Sequence, residues 1–435
     1  MKMKGYIDMN KKMNNILKYN NNEHILAKGV TVPNNTFNST NSNVCLIGGT
    51  GSGKTTGYCH PNLAHPSGSL IVTDTKGNLH RKFGPSLEKM GYNVLFLDFV
   101  NPTNPISKGY NPLDYIRRDS EGQIIEKDIM KIAKILIPSD HNKDNEWWTQ
   151  SACRYVSLLI GFVMEFLPKK DQNISSVLTM HRRFIAGKGD NLLEKCAEKY
   201  PQGYVARRYE RYENLKSADR TMSCILEFAS AGLDPFDTKE WGKLFNNPDT
   251  VDFHEIGRKK TVLFINTSDR DSSYDVLTTI LQSQLLQTLL DDADANADSR
   301  LKVGVRLICD DFAASAKIPD FERIVSIIRS RNISVSIILQ SQSQLTSMYG
   351  ENGAKTIINN MGNILYLGSN DLDTAKWIGS LTGQMVTNVF KLPMNKCFVI
   401  TLGNIYSNGK NYVIADKIRY DDPCAQPVIE DTPEI

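Results

Sequence analysis

The sequence predicts an α/β protein: a mainly parallel sheet, with an all-helical domain inserted into it. Three observations lead there. Short apolar runs alternate with helical patterns on both sides of the chain's middle. The middle, residues 128–248, has helical periodicity and almost no strand signal. A knot of glycines, "GGTGSGKTT", stands between the first such strand and the helix after it. Strands that alternate with helices pair in parallel and are covered on both faces.

Taken in order, residues 1–40 are polar and Asn-rich, ending in "TVPNNTFNSTNSN", and are expected to form a flexible leader. The first segment of the nucleotide-binding domain, 41–127, then reads as strand "NVCLIG", helix Thr55–Ala64, strand "SLIVTD", helix Leu79–Met90 and strand "YNVLFLDF". The insertion, 128–248, has "WWTQSACRYVSLLIGFVMEFL", "NLLEKCAEKY" and "RTMSCILEFASAGL" as its clearest helices. Alternation resumes over 249–420 with "KTVLFINTSD", a helix Tyr274–Leu290, "RLICDD", a helix Phe321–Ser330, "SVSIILQ" and "NILYLGS". An acidic, Pro-containing tail, 421–435, is expected to be unstructured.

Composition excludes some classes. With 40% hydrophobic residues and a net charge of +3, the chain lacks the global signature of a nucleic-acid- or membrane-coating protein. Eight cysteines with no Cys-x-x-Cys spacing, several of them inside apolar runs, read as reduced core thiols. The most apolar stretch, Tyr155 to Leu167, is shorter than the ~20 residues of a membrane helix and contains Glu165. The expected location is the cytoplasm.

Gly48-x-x-x-x-Gly53-Lys54-Thr55, preceded by a strand and followed by a helix, is a phosphate-binding P-loop. Gly48, Gly49, Thr50, Gly51, Ser52 and Gly53 would turn backbone N–H groups toward phosphates. Lys54 would reach the β/γ oxygens of ATP, and Thr55, followed by Thr56, would put a hydroxyl on Mg²⁺. "RLICDD" ends an apolar strand in two carboxylates: Asp310 for the metal shell and Asp311 to polarise a water. Lys54 and Asp310 are expected to meet across adjacent strand ends. Gln340 ends the next strand, where it either senses the γ-phosphate or is a plain strand-end polar residue. Arg329 and Arg331 lie near a helix end, as a finger acting on a neighbouring subunit or as ordinary partners of the helix dipole. The basic, Tyr-containing stretch 181–220 fits either DNA contact or a salt-bridged helix face.

Over Asn43 to Gly403 the chain resembles the TraG/TraD-type coupling proteins of type IV secretion and conjugation, which belong to the FtsK/HerA-like P-loop superfamily. The likeness is carried by the P-loop and by "SLIVTDTKGNL", "GYNPLDYI", "EWW", "CDDFAASAKIPDFERIVSIIRSRNISVSIILQSQSQL" and "NNMGNILYLGSNDLDTAKWI". The resemblance implies a RecA-like domain with a membrane-distal all-α domain, assembled as a hexamer with ATP at subunit interfaces. It implies a relaxase bound to single-stranded DNA as substrate, other secretion components as partners, and DNA in a central channel. It also implies a trans arginine at Arg329 and the family's glutamine at Gln340. Two features depart from the pattern. Asp311 stands where the family usually has Glu. No transmembrane segment precedes the P-loop, so either a separate anchoring protein at the inner face of the membrane or a role as a soluble recruiter is expected. The alternative function is a nucleotide-gated adaptor that recruits substrates while another ATPase powers export.

Overall fold

The structure, a computed structural model, describes residues 23–34, 41–137, 145–216, 219–268, 270–271, 274–314, 317–402, 406 and 408–427. The described residues fall into two compact units, within Met1–Phe96, Asp252–Arg270 and Gln287–Ile435 for the first and Leu97–Val251 and Asp271–Leu286 for the second.

The first unit is organised by a nine-stranded sheet. Its strands are β3 (Val44–Ile47), β4 (Ser69–Asp74), β5 (Asn93–Asp98), β6 (Thr261–Asn266), β7 (Val305–Cys309), β8 (Ile333–Leu339), β9 (Asn363–Tyr366), β10 (Lys396–Thr401) and β11 (Tyr412–Asp416). They run in the order β11-β10-β9-β3-β8-β7-β4-β6-β5. Pairing is parallel from β9 through β6, and β10 is antiparallel to both β9 and β11. The expected α/β class with a mainly parallel sheet is what the chain adopts. Every residue of β3, β4, β7, β8 and β9 is buried. Such strands read as unbroken apolar runs because helices cover both faces, and each buried Leu, Ile or Val side chain contributes ~1.5–3 kcal/mol.

Two expectations about the chain's ends change. Inside the span read as a loose leader, β1 (Glu23–Ala27) and β2 (Val30–Pro33) pair antiparallel around Lys28 and Gly29. Asn62 ties this hairpin down, accepting from Ile25 N and donating to Ile25 O, both at 2.9 Å. Residues 1–22 and 35–40 of the leader lie outside the described residues. Likewise the tail is ordered through a turn at Pro423–Ala425, where Cys424 and Ala425 pack with Ile25 and Ile418. Apolar residues in short polar segments gain this burial only from a partner distant in sequence. Residues 428–435 lie outside the described residues.

The second unit is helical: Glu126–Leu136, Glu146–Phe166, Ile174–Ile185, Asp190–Lys199, Tyr204–Lys216, Asp219–Leu233 and Lys239–Phe245. It also takes in residues 97–127, beyond the span expected from periodicity. Tyr110 Oη donates to Gln284 Oε1 at 2.6 Å, Gly109 N donates to Asp249 O at 2.8 Å, and Val251 N donates to Gly109 O at 3.1 Å. Helix 146–166 buries 14 residues and contacts helices 126–136, 174–185, 204–216 and 219–233, which explains its apolarity on nearly all sides. Glu165, unusual in that run, accepts from Tyr204 N and Val205 N and so caps helix 204–216. No helix among the described residues is long and apolar enough to cross a membrane.

Candidate nucleotide-binding site

β3 delivers the chain into the loop Gly48–Lys54, and a wide π-type turn, Thr55–Cys59, leads into helix His60–Ala64. Gly51 and Gly53 have φ of 74° and 88°, a region L side chains rarely adopt. At Gly48 a side chain would place Cβ 2.3 Å from Ser52 Oγ and 3.1 Å from Leu367 Cβ, so Ser52 would have to shift to admit it. Carbonyls of Leu339, Gly368 and Gly49 take the N–H groups of Gly48, Gly49 and Ser52. Those of Gly51, Gly53 and Lys54 have no carbonyl partner among the described residues. Lys54 Nζ donates to Gly48 O at 3.1 Å and Gly49 O at 3.4 Å. The loop thus presents a cationic head and backbone donors without carbonyl partners among the described residues, a chemistry suited to phosphate.

Asp310 follows β7 and is 5% exposed. Its Oδ2 accepts from Thr55 Oγ1 at 2.6 Å and its Oδ1 from Asp311 N at 3.1 Å. Burial raises its pKa above the ordinary carboxylate value, while the Thr55 hydrogen bond and the Lys54 charge oppose that shift. A carboxylate 2.6 Å from a P-loop hydroxyl offers two hard oxygen donors of the kind that would hold a divalent cation. Asp311 sits at φ 46°, a left-handed conformation that takes the chain out of the strand.

The expected adjacency of strands needs correction. β8 lies between β3 and β7, so the P-loop strand and the Asp310 strand are next-nearest neighbours. Thr55, at the head of the turn after the loop, spans the intervening strand end to reach Asp310. That order places Gln340 between them. Leu339 pairs with Ile47, and Gly48 N donates to Leu339 O at 3.0 Å, so Gln340 stands exposed level with the start of the P-loop.

The P-loop, Asp310, Asp311 and Gln340 therefore converge on one edge of one sheet. Over residues 1–391, the sequence matches the family model described as type IV secretory system conjugative DNA transfer. The chain belongs to that family. The type IV coupling protein VirD4 of Bartonella henselae is 25% identical over 399 residues, which are 88% of this chain and 60% of that protein. The chain thus spans about three fifths of that curated relative's length. Bacterial conjugative coupling protein TrwBdeltaN70 superposes with a TM-score of 0.66 at 16% identity, covering 97% of this chain and 94% of that one. TrwB in complex with ADP and Mg²⁺ gives 0.64 at 16% identity, covering 97% and 95%. At such identity the two structures speak to the fold.

Arg329 is not part of this coupling-protein chain's own site. It lies in the turn Ile328–Arg331 before β8, whose seven residues span roughly 20 Å to the P-loop edge. Arg331 is paired with Asp294 at 2.9 Å. In the basic stretch, Arg182, Arg207 and Arg208 pair with Asp237, Glu126 and Glu126.

Sequence reasoning missed two residues of this edge. Lys417 Nζ donates to Leu367 O at 2.6 Å and lies 3.5 Å from Ser52 O, bracing the P-loop from behind. Burial lowers its pKa. A single lysine after an unrecognised strand offers no local pattern. Asp74, read only as the last residue of the strand "SLIVTD", is 3% exposed and accepts from Leu79 N at 2.6 Å, capping helix Leu79–Lys89. Its signal was legible: an Asp at a strand end five residues before a helical run.

Proposed function

We propose that this chain is an ATP-hydrolysing coupling protein that recruits relaxase-bound single-stranded DNA and drives it into a type IV secretion channel. The observation that carries the reading is the 2.6 Å hydrogen bond from Thr55 Oγ1 to Asp310 Oδ2. It supports Thr55 and Asp310 as the pair that would hold the metal of a P-loop ATPase. TrwB, of the same fold, is described in complex with ADP and Mg²⁺, which supports the same pair of ligands here.

In this account Gly48 to Thr56 cradle the phosphates. Lys54 exchanges its loop carbonyls for β/γ oxygens, and Thr55 and Asp310 hold Mg²⁺. When bound, that ion would neutralise charge developing between the β- and γ-phosphates. Asp311 orients the attacking water, and Gln340 senses the γ-phosphate from the strand between. Arg329, a strand length from its own P-loop, serves the nucleotide of the next subunit, so activity requires a ring, a hexamer in the family's pattern.

Purified protein should hydrolyse ATP faster when single-stranded DNA is added, and Lys54→Ala should abolish both rates. An unchanged rate in the variant would remove the site assignment. A second reading, the nucleotide-gated adaptor, is favoured by Asp311. A carboxylate shorter than Glu by one methylene, about 1.5 Å, holds a water less far forward. ATP binding without DNA-stimulated turnover would select that reading.

A further inference from the structure

Arg306, the second residue of β7, is 1% exposed and is among the largest buried side chains of the described residues. Its Nη1 donates to Ser42 O at 2.9 Å and to Ser336 Oγ at 3.3 Å. Ser42 precedes β3 and Ser336 belongs to β8, so the side chain crosses β8 on one face of the sheet. On the way it passes Ser334, its register partner in β8. The two remaining nitrogens, Nε and Nη2, have no hydrogen-bond partner. Nor does any carboxylate pair with Arg306 among the described residues. The polar groups beside it are neutral. Tyr58 Oη donates to Ser336 Oγ at 2.6 Å, and His24 Nε2 lies 2.6 Å from Tyr58 Oη. Burial raises the pKa of that phenol and lowers that of the imidazole, so neither offsets the guanidinium charge.

Arg306 lines a cavity of about 10 Å³ together with Asn34, Ser67, Gly304, Asn332 and Ser334. Most of its polar groups are committed to each other or to the backbone. Asn34 Nδ2 donates to Ser67 O at 3.2 Å, Ser67 Oγ to Asn34 Oδ1 at 3.3 Å, and Asn332 Nδ2 to Leu301 O at 3.1 Å. Ser334, 5% exposed, makes no side-chain hydrogen bond among the described residues, so its hydroxyl is available. What is left over is one positive charge, guanidinium N–H donors and a hydroxyl. A buried charge without a counter-ion is costly, and a guanidinium does not escape the cost by losing its proton. Water would satisfy the N–H groups but leave the charge in place. A cavity of this volume holds about one water-sized particle, which excludes phosphate, sulfate and carboxylates. We infer that this cavity binds a halide ion, chloride or bromide, with the Arg306 guanidinium as its counter-charge and the Ser334 hydroxyl as a further donor. The ion would fasten β7, β8 and the start of β3 at the end of the sheet away from the P-loop. The site is independent of the nucleotide reading.

The test uses the full chain in sodium gluconate, titrated with sodium chloride or sodium bromide at constant ionic strength, with unfolding followed by scanning calorimetry. Either halide should raise the melting temperature saturably, by at least about 3 °C at about 100 times its dissociation constant. Sulfate, too large for the cavity, should give only the gradual, non-saturating rise of a salt excluded from the surface. In Arg306→Met, which keeps an unbranched apolar stem and loses the charge, halide and gluconate should give the same midpoint. Two further measurements do not depend on that variant folding. Ser334→Ala should weaken halide binding at least about threefold. Wild-type crystals soaked in bromide should show an anomalous peak in contact with the Arg306 guanidinium. Equal wild-type midpoints in halide and gluconate would overturn the inference and leave the cavity to water. A halide-dependent rise that persists in Arg306→Met would overturn it by placing the ion elsewhere. Bromide-soaked crystals with no peak at Arg306 would overturn it as well.

Discussion

Replacing Thr55 by Val removes one hydroxyl and leaves the β-branched shape in place. In the wild type that hydroxyl supplies one of the two hydrogen bonds made to the Asp310 carboxylate, at 2.6 Å, the other coming from Asp311 N at 3.1 Å. Asp310 is only 5% exposed, so water cannot readily replace the lost donor. A hydrogen bond to a charged group contributes about 1.5–3 kcal/mol, which sets the expected loss in nucleotide-free protein. For a unit of this size that loss lowers the unfolding midpoint by roughly 4–10 °C. Because the Thr55 hydrogen bond opposes the upward shift of the Asp310 pKa, its removal should also raise that pKa further. Scanning calorimetry on Thr55→Val, Asp310→Asn and the double variant separates the interaction from packing. In the Asn background the same Val substitution should cost at least about 1 kcal/mol less. Equal cost in both backgrounds would refute the claim that the two side chains act as a pair.

Three other outcomes follow from the geometry. His24, His60, His65, His80 and His181 all have lowered pKa values, chiefly through burial, His60 to about 4. Each binds a proton less readily folded than unfolded, so the stability these rings contribute is full above pH ~6.5 and falls as pH drops toward the folded value, about 4 for His60. Denaturation midpoints measured across that range should decline, and a flat profile would contradict the burial assigned to these rings. Cys224 is exposed and Cys196 half-buried, whereas burial pushes Cys45, Cys309 and Cys397 to about 12. A maleimide should label the first two in native protein and the six buried thiols only after denaturation, as read by mass spectrometry. Gly48→Ala should weaken nucleotide binding, since its Cβ would meet Ser52 Oγ at 2.3 Å and force Ser52 of the P-loop to shift, and wild-type affinity in a fluorescent-nucleotide titration would contradict this.

What could be read from sequence was local. The P-loop was legible because strand, glycines, Lys54 and helix are contiguous and each is required by the next. Asp310 was legible because two carboxylates at the end of "RLIC" would otherwise be an uncompensated break in a buried strand. Strand order was not. Which strand lies beside β3 is decided by how crossovers pack, so β8 between β3 and β7 left no trace in any one segment. The antiparallel edge β10–β11 went unseen because "KCFVIT" and "YVIAD" are short and separated by a Gly- and Asn-containing loop. The hairpin at Glu23–Pro33 did carry a signal: the apolar run "ILA" and the alternating "VTV" on either side of Lys-Gly, masked by the Asn-rich sequence on both sides. Lys417 depends on tertiary contacts alone, with Leu367 50 residues away in sequence.

The central claim is that Thr55 and Asp310 share one divalent cation with the phosphates of ATP. Equilibrium binding of a fluorescent ATP analogue with and without Mg²⁺, in wild type and in Asp310→Asn, tests it most directly. The account predicts that Mg²⁺ tightens binding at least about tenfold in the wild type and has little effect in the variant. An equal gain from Mg²⁺ in both proteins would contradict it.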